Sequence, residues 1–157
     1  MPTLAQKKAF VTGGSRGIGA GIVQKLAEEG ADVGFTYKSH EDAASNVSKE
    51  VEAIGRRVIA IKADSAKADR LAKAADEAAG FLGGLDIFVS SAGALLFKPI
   101  SEFTLEDFDE IVSLDLRAAF VGSKAVLPHM NLHQLMSLSG TGSHLPSPKR
   151  MRPRNRN

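Results

Sequence analysis

Residues 12–19 read Thr12-Gly13-Gly14-Ser15-Arg16-Gly17-Ile18-Gly19 and directly follow the apolar run 9–11. The apolar residues that come next recur at helical spacing, at Ile18, Ile22, Val23 and Leu26. A strand, a glycine-rich turn and a helix in this order can hold phosphate groups, because glycine permits a tight turn and close backbone approach to an anion. The helix N-terminus then directs N–H groups at that anion. The stretch, called here the glycine turn, therefore predicts a phosphate site at the start of an α/β fold.

The composition is ordinary for a globular domain and excludes several kinds of site. The chain has 157 residues, of which 43% are hydrophobic and 24% charged, enough for one domain with a sizeable core. It has no cysteine and only four histidines, so we predict no disulfide, no thiol nucleophile and no metal site. No apolar run approaches the roughly 20 residues of a membrane span, and residues 1–8 lack the apolar core of a secretory signal. We therefore expect a cytoplasmic protein with no membrane partner.

The charges are distributed unevenly along the chain. Residues 1–130 hold 15 Lys and Arg against all 18 Asp and Glu, whereas residues 131–157 hold five basic residues and no acidic one. The high pI of about 9.0 therefore comes from the end of the chain. A nucleic-acid partner would have to bind those last residues, which have no interleaved aromatic side chains, so nucleic-acid binding is the least favoured function.

Strand-like and helix-like segments alternate through the first 90 residues. Short β-branched or aromatic runs at 9–11, 33–37, 58–61 and 86–89 predict four strands. Amphipathic segments lie between them, and the second and third end at Gly55 and Gly83-Gly84, as glycine commonly follows a helix. This alternation predicts a doubly wound parallel sheet with helices on both faces.

A longer helix is predicted from about residue 105 to 129, with Thr104 as its N-cap. One face carries an apolar stripe into which Asp115 falls. The stripe consists of Phe108, Ile111, Val112, Ala118, Ala119, Gly122 and Val126. A carboxylate among apolar side chains needs a partner or a raised pKa. Asp115 is therefore either a single-residue change without a special role or a partly exposed group paired with Arg117 or Lys124.

The character of the sequence changes at Asn131. Residues 143–157 combine three prolines with five charges of one sign and few large apolar side chains. Such a segment buries too little surface to offset its ordering entropy, so we expect a disordered basic tail. The predicted organisation is thus a truncated dinucleotide-binding domain over residues 1–130 and a divergent tail over residues 131–157.

Several motifs occur in the order and at the strand ends of one known family. Thr-Gly-x-x-x-Gly-x-Gly follows the first strand, Asp64-Ser65 follows the third, and Ser-Ala-Gly follows the fourth, which Asp86 precedes. Together they resemble the short-chain dehydrogenase/reductase family, in particular its 3-oxoacyl-carrier-protein-reductase-like branch, from residue 7 to about 130. The resemblance implies a Rossmann-like fold, incomplete here, and an oxidoreductase that transfers hydride between a nicotinamide cofactor and small carbonyl or alcohol compounds.

The resemblance also assigns cofactor-binding roles to individual residues. Asp64 would accept a hydrogen bond from the adenine amino group, with Ser65 beside it. The motif Ser90-Ser91-Ala92-Gly93 replaces the family's Asn-Asn-Ala-Gly, so Ala92 and Gly93 match and the serines offer fewer hydrogen bonds than asparagines. The residues placed around the pyrophosphate are Gly13, Ser15, Arg16, Gly17, Ile18 and Gly19.

The end of the second strand indicates which dinucleotide is preferred. An NAD-selective site places an acidic residue there to accept from the ribose 2′-hydroxyl. Asp32 opens this strand and so lies at the opposite end, whereas Lys38 and Ser39 follow its last residues. Lys38 and Arg16 would repel each other unless an anion such as a 2′-phosphate lay between them. NADP(H) is therefore favoured over NAD(H), the alternative being that both cations are solvated surface charges.

The catalytic residues of the family are largely missing from this sequence. The family uses a Ser, an Asn on the long helix and a Tyr-x-x-x-Lys pair, in which the lysine lowers the tyrosine pKa toward the working range. The single tyrosine is Tyr37, and no Tyr-x-x-x-Lys occurs. Asp115 stands at the Asn position, and Ser139 is the nearest match to the catalytic serine.

Three functions remain open on this evidence. The first is the cofactor half of an NADP(H)-dependent oxidoreductase, inactive as written. The second is a non-catalytic nucleotide-binding or interaction module that self-associates through the 105–129 helix. The third is nucleic-acid binding by the basic tail, through phosphate contacts that weaken with salt.

Overall fold

A computed structural model describes residues 3–130, and four parallel strands form its sheet. They are β1 (Lys8–Thr12), β2 (Asp32–Tyr37), β3 (Val58–Lys62) and β4 (Ile87–Ser90). Their order is β3-β2-β1-β4, so β1 lies between β2 and β4. Phe10 is paired with Gly34 on one side and with Phe88 on the other. The predicted parallel α/β sheet is confirmed.

Three helices connect these strands, and their ends follow the sequence signals. They are α1 (Gly17–Glu28), α2 (Glu41–Ala53) and α3 (Ala68–Leu82). Gly83 ends α3 in the left-handed conformation, at φ 77°, where a Cβ is unfavourable. Each helix joins two parallel strands, which requires a crossover over a face of the sheet.

Two apolar cores cover the two faces of the sheet, because successive side chains of a strand point in opposite directions. Ala9 and Val11 of β1 belong to the core beneath α1 and α2. Phe10, between them, belongs to the core beneath α3 and the helical segment over residues 118–126. The first core includes the buried Val23, and the second the buried Leu71. The doubly wound arrangement predicted from the alternation of elements is therefore present.

The long helix begins and ends where the sequence predicts, but it is not uniform. It comprises α4 (Leu105–Ile111), a π-helical segment (Val112–Arg117), α5 (Ala118–Val126) and a 3₁₀ turn (Leu127–His129). The N-cap prediction is confirmed: Thr104 Oγ1 accepts from the Asp107 N–H at 3.2 Å, and Asp107 Oδ2 accepts from the Thr104 N–H at 2.8 Å. π-Helical turns often occur at functional sites, and this one contains Asp115.

One expectation about an apolar face is wrong. Phe108 is 59% exposed rather than part of the inner stripe, because α4 contributes no buried residue, whereas α5 buries Ala118, Gly122 and Val126. Ile18, in the first turn of α1, is 80% exposed and lines a cavity, whereas Val23 further along the helix is buried. Helical periodicity identified both helices, but it did not show where each helix leaves the sheet.

The predictions for the end of the chain lie outside the described residues. These are Ser139 as the candidate for the family's catalytic serine, the divergent tail from residue 131 and the disorder expected of it. Over residues 3–130, no helix is long and apolar enough to span a bilayer.

Candidate functional site

A cavity of about 500 Å³ opens at the carboxyl edge of the sheet. Parallel α/β folds bind ligands at this edge, where loops after neighbouring strands meet. The cavity is lined by the glycine turn and by the segments that follow β2, β3 and β4. The predicted residues among its walls are Gly13, Ser15, Arg16, Gly17, Ile18, Gly19, Lys38, Ser39, Asp64, Ser65, Ala92 and Gly93.

The glycine turn has a conformation that requires its glycines. Gly13 and Gly17 have φ angles of 69° and 55°, in the region that side chains with a Cβ rarely adopt. A Cβ on Gly19 would lie 2.1 Å from the carbonyl oxygen of Gly13, so the helix can begin this close to the turn only with glycine. At Gly13, Gly17 and Gly19, no side chain therefore separates the backbone of the turn from the cavity.

The N-terminus of α1 is left free for an anionic ligand. Its first turn contains no acidic residue, although the first turns of α2, α3 and α4 all do. Arg16 occupies the N-cap position and makes no side-chain cap hydrogen bond. The leading N–H groups of a helix have no intrahelical acceptors, so an incoming anion would find donors and a favourable dipole there.

Two buried threonines hold the walls of the cavity together. Thr12 Oγ1, at the end of β1, accepts from the N–H groups of Ser91 and Ala92 at 3.0 and 3.1 Å. Thr36 Oγ1, in β2, accepts from the Gly13 N–H at 3.1 Å. These hydroxyls fix the loop after β4 and the glycine turn relative to neighbouring strand ends.

An ion pair lies at the end of the cavity formed by β2 and β3. Lys38 Nζ is 3.0 Å from Asp64 Oδ2, and Asp64 Oδ1 accepts from the Ala66 N–H at 3.0 Å. Burial raises the pKa of the Asp64 carboxyl, but the hydrogen bonds from Lys38 and Ala66 and the Lys38 charge outweigh burial and lower it. Asp64 is therefore an ionised acceptor at neutral pH.

The second predicted cation, Arg16, also lines the cavity but contacts a residue that sequence reasoning missed. Arg16 Nη1 lies 3.2 Å from His40 Nε2, and His40 Nδ1 lies 2.9 Å from Ser39 Oγ. Asp32 is at the other end of β2, where it accepts from the Arg57 N–H at 3.0 Å. The four residues Tyr37 to His40 at the cavity end of the strand include no acidic side chain.

The loop after β4 is held by Asp115. Asp115 Oδ1 accepts from the Ala94 N–H at 3.0 Å, and a Cβ on Gly93 would be 3.0 Å from the same oxygen. Arg117 donates to Ser113 Oγ instead of pairing with Asp115. Asp115 is exposed, which agrees with the alternative of a partly exposed carboxylate and not with burial in an apolar stripe. Its partner is the backbone N–H of Ala94, whereas that alternative named Arg117 or Lys124.

One predicted residue does not line the cavity, and several residues that were not predicted do. Ser90 is outside the cavity lining, since as the last residue of β4 it is paired with Thr12, and the next residue, Ser91, lines the cavity instead. The lining residues that the sequence did not suggest include Thr36, His40 and Leu114. Thr12 and Thr36 carried a usable signal, a polar residue at or near the end of an apolar strand, whereas His40 carried none.

Sequence comparisons place this geometry among known proteins. A family model described as short chain dehydrogenase matches residues 7–138. A hydroxynaphthalene reductase-like protein of Metarhizium guizhouense is 42% identical over 128 residues, which are 82% of this chain and 48% of that protein. A hydroxynaphthalene reductase of Aspergillus fumigatus is 41% identical over 127 residues, or 81% of this chain and 46% of that protein. The chain thus spans about half the length of the curated relatives it matches.

Several solved structures share this fold. A short chain dehydrogenase from Burkholderia cenocepacia in complex with NADP has a TM-score of 0.80 and 44% identity, covering 82% of this chain and 53% of the other. A blue fluorescent protein from a metagenomic library, in complex with NADPH, has a TM-score of 0.78 and 45% identity over 82% of this chain and 53% of its own. Two solved relatives with this fold therefore hold NADP or NADPH.

Proposed function

This chain belongs to the short-chain dehydrogenase/reductase family, and on that premise we propose that it binds NADP(H) in the sheet-edge cavity without reducing substrates by itself. The observation that carries the proposal is the bare glycine turn, in which a Cβ on Gly19 would meet the Gly13 carbonyl oxygen at 2.1 Å. We further propose that residues 1–130 form the dinucleotide-binding unit and residues 131–157 a divergent tail; the family match continues to residue 138, eight residues past this boundary.

The residues of the cavity fit a dinucleotide. The glycine turn and the N-terminus of α1 would hold the pyrophosphate, with Ser15 as a further donor. Asp64 is ionised and offers acceptors to an adenine amino group, with Ser65 beside it. Ala92 and Gly93 leave room for the rest of the cofactor near the loop after β4. When bound, the cofactor supplies or accepts a hydride, and the chain's own residues bind and orient it.

NADP(H) is preferred to NAD(H) because of the charges at the end of β2. No acidic residue from Tyr37 to His40 can accept from a ribose 2′-hydroxyl, and Asp32 is engaged at the opposite end of the strand. Arg16 and Lys38 line the cavity and are positive, which favours a 2′-phosphate. Lys38 is partly neutralised by Asp64, so Arg16 is the stronger candidate for the phosphate.

Catalysis is not expected from these residues. Tyr37, the single tyrosine, is in β2, where its carbonyl oxygen accepts from the Ala63 N–H, and position 41 is Glu rather than Lys. Asp115 at the family's Asn position accepts a hydrogen bond but donates none when ionised. Loss of an essential general acid lowers turnover by a factor of about 10² to 10⁴. Ser139, the candidate serine, is not accompanied by a Tyr-x-x-x-Lys motif in these 157 residues.

The binding and turnover parts of the proposal are tested separately. Titration of the 157-residue chain with NADPH and with NADH, followed by cofactor fluorescence, should show saturable binding that is tighter for NADPH. Incubation with NADPH and a panel of small ketones should show no oxidation above the rate without protein. Absence of binding would overturn the cofactor assignment, and ketone-dependent oxidation of NADPH would overturn the inactivity.

An interaction module is the second candidate function, favoured by exposed apolar side chains on the long helix. Phe108, Leu116 and Phe120 are 59%, 68% and 68% exposed on the described residues. Contiguous apolar side chains in water mark surfaces that other protein covers. We propose that this face supports self-association of the chain, with nucleotide binding retained. The two functions are compatible, and only the turnover assay distinguishes an oxidoreductase from a binding module.

A further inference from the structure

His40 is an ionisable side chain of the cavity wall to which neither the motifs nor the proposed function gives a role. It is the N-cap residue of α2 but makes no side-chain cap hydrogen bond, so its imidazole is not needed to start the helix. The ring instead lies between Arg16 and Ser39, at 3.2 Å from Arg16 Nη1 and 2.9 Å from Ser39 Oγ. It therefore occupies the region where a 2′-phosphate is expected.

Arg16 and Ser39 are the partners of the two ring nitrogens of His40, and their donor groups indicate which nitrogen accepts. A guanidinium group has five donors and no acceptor, so His40 Nε2 must accept from Arg16 through its lone pair. The single proton of the neutral ring is then on Nδ1 and is donated to Ser39 Oγ. His40 Nε2 thus serves as the acceptor for the Arg16 side chain at the cavity wall.

The charged groups around His40 come from four elements. Arg16 at the start of α1 and Lys38 after β2 are positive and line the same cavity. Asp64 after β3 faces Lys38, to which it is paired at 3.0 Å. The first turn of α2 adds Glu41 and Asp42 immediately after His40. A proton on His40 would therefore lie beside the Arg16 cation in the free protein, and a phosphate bound at the same place would favour that proton by its negative charge.

We propose that His40 is a specificity-determining residue that binds the 2′-phosphate of NADPH as an imidazolium, so that NADPH binding is coupled to proton uptake. This inference rests on the proposed function, because it needs the dinucleotide in the sheet-edge cavity. NADH has no 2′-phosphate and binds without proton uptake. Histidine exchanges its proton near neutral pH, so the preference for NADPH over NADH increases as the pH falls from 8 to 6.

Affinity ratios measured with three forms of the full 157-residue chain test the proposal. In the unsubstituted chain, the affinity for NADPH relative to NADH should rise about two- to fivefold between pH 8 and pH 6, the effect of one added charge pair at an exposed site. His40→Gln supplies an acceptor for Arg16 but cannot gain a proton, so its ratio should not rise on acidification. His40→Leu loses both functions and should lower the NADPH affinity at both pH values, with the NADH affinity unchanged.

Calorimetry supplies a readout that a purely structural role would not change. Titration with NADPH in buffers of different ionisation enthalpy should reveal net proton uptake at pH 7 by the unsubstituted chain and less by His40→Gln. The 2′-phosphate itself titrates near pH 6, and the same ligand in both proteins cancels that contribution. His129→Gln is the matched control, since His129 contacts Asp76 at 2.7 Å and does not line the cavity.

The outcomes separate the two proposals. If the chain binds neither NADPH nor NADH, the proposed function fails and this inference fails with it. If the chain binds both cofactors but His40→Gln keeps the full pH dependence and proton uptake, the inference alone is overturned. A selective loss of NADPH affinity in His40→Leu, together with a flat ratio in His40→Gln, supports it.

Discussion

At the scale of single residues, the cavity depends on short polar side chains whose partners are distant in sequence. Thr12 is buried, and its hydroxyl accepts from the N–H groups of Ser91 and Ala92. Asp115 has the same function from the other side, through the Ala94 N–H. The loop after β4, which the cofactor would contact, is therefore held in place by two acceptors on different elements. Thr12 is the first residue of the glycine turn, whereas Asp115 is about 100 positions away on the long helix.

Replacement of Thr12 should weaken both the fold and the cofactor site. Thr12→Val keeps the shape but leaves the Ser91 and Ala92 N–H groups without their acceptor, at a cost of about 1–3 kcal/mol in the free energy of unfolding. NADPH affinity should fall as well, because the loop is released. Urea denaturation and fluorescence titration measure the two effects. Thr12→Ser retains the hydroxyl and is the control; equal losses in both variants would show that the hydrogen bonds are unimportant.

At the scale of secondary-structure elements, close packing between helices and strands decides where small residues are needed. A Cβ on Gly34 of β2 would lie 2.9 Å from Ala78 Cβ on α3. A Cβ on Gly122 of α5 would lie 2.5 Å from Phe88 Cζ on β4. By contrast, a Cβ on Gly21 of α1 or on Gly80 of α3 would meet nothing within 4 Å. Identical residues on similar helices thus have opposite roles, set by the neighbouring element.

Gly122→Ala should destabilise the protein although alanine favours helix. The new methyl group overlaps the Phe88 ring, and forced repacking of this kind costs about 1–3 kcal/mol. Gly80→Ala is the matched control and should stabilise by up to about 1 kcal/mol, since its methyl group meets nothing. Thermal unfolding followed by circular dichroism measures both. An unchanged or higher melting temperature in Gly122→Ala would contradict the packing of α5 on β4.

The end of α1 should contribute a pH-dependent stability. The Thr3 hydroxyl, at 2.8 Å, and then Lys25 lower the pKa of Glu29 to about 2. Because the folded-state pKa is depressed, the stabilisation is complete above the ordinary glutamate range and is lost as the pH falls toward 2. Thr3→Val should raise the Glu29 pKa, measured by NMR titration of the side-chain carboxyl, whereas Thr3→Ser should leave it low. A low Glu29 pKa in Thr3→Val would exclude the hydroxyl as its main cause.

At the scale of the whole molecule, the long helix packs on the sheet through one side of α5 and exposes several large apolar side chains elsewhere. α5 is anchored by Ala118, Gly122 and Val126, whereas α4 buries no residue. Leu105, Phe108, Leu116 and Phe120 are exposed along the same helix. An apolar surface of this kind is stabilised when other protein covers it, which favours association of the chain.

Association should therefore depend on Phe120 and on protein concentration. Phe120→Glu places a charge on the exposed apolar surface and should shift the chain toward the monomer, because burial of that charge is costly. Ser123→Glu adds the same charge to the same helix at an exposed polar position and should leave association unchanged. Sedimentation velocity at several concentrations measures the distribution. A monomer at all concentrations in the unsubstituted chain would argue against self-association through this helix.

The sequence determined the features that depend on local physical chemistry. Apolar runs and helical spacing predicted four strands and their helices, since backbone geometry imposes a period on each element. The glycines of residues 12–19 predicted the phosphate turn, because only glycine adopts the required φ angles at Gly13 and Gly17. The N-cap at Thr104 was likewise predictable from neighbouring residues alone.

Only the tertiary structure decided which distant residues meet. The order β3-β2-β1-β4 brings Thr12 to Ser91 across 79 positions and Arg16 to His40 across 24, and no local pattern encodes these contacts. Exposure was equally beyond the sequence for Ile18 and Phe108, since periodicity gives the face of a helix but not the point where the helix passes the sheet edge. The conformation of the glycine turn was therefore determined by the sequence, whereas the charged environment around it was determined by the packing of strands and loops.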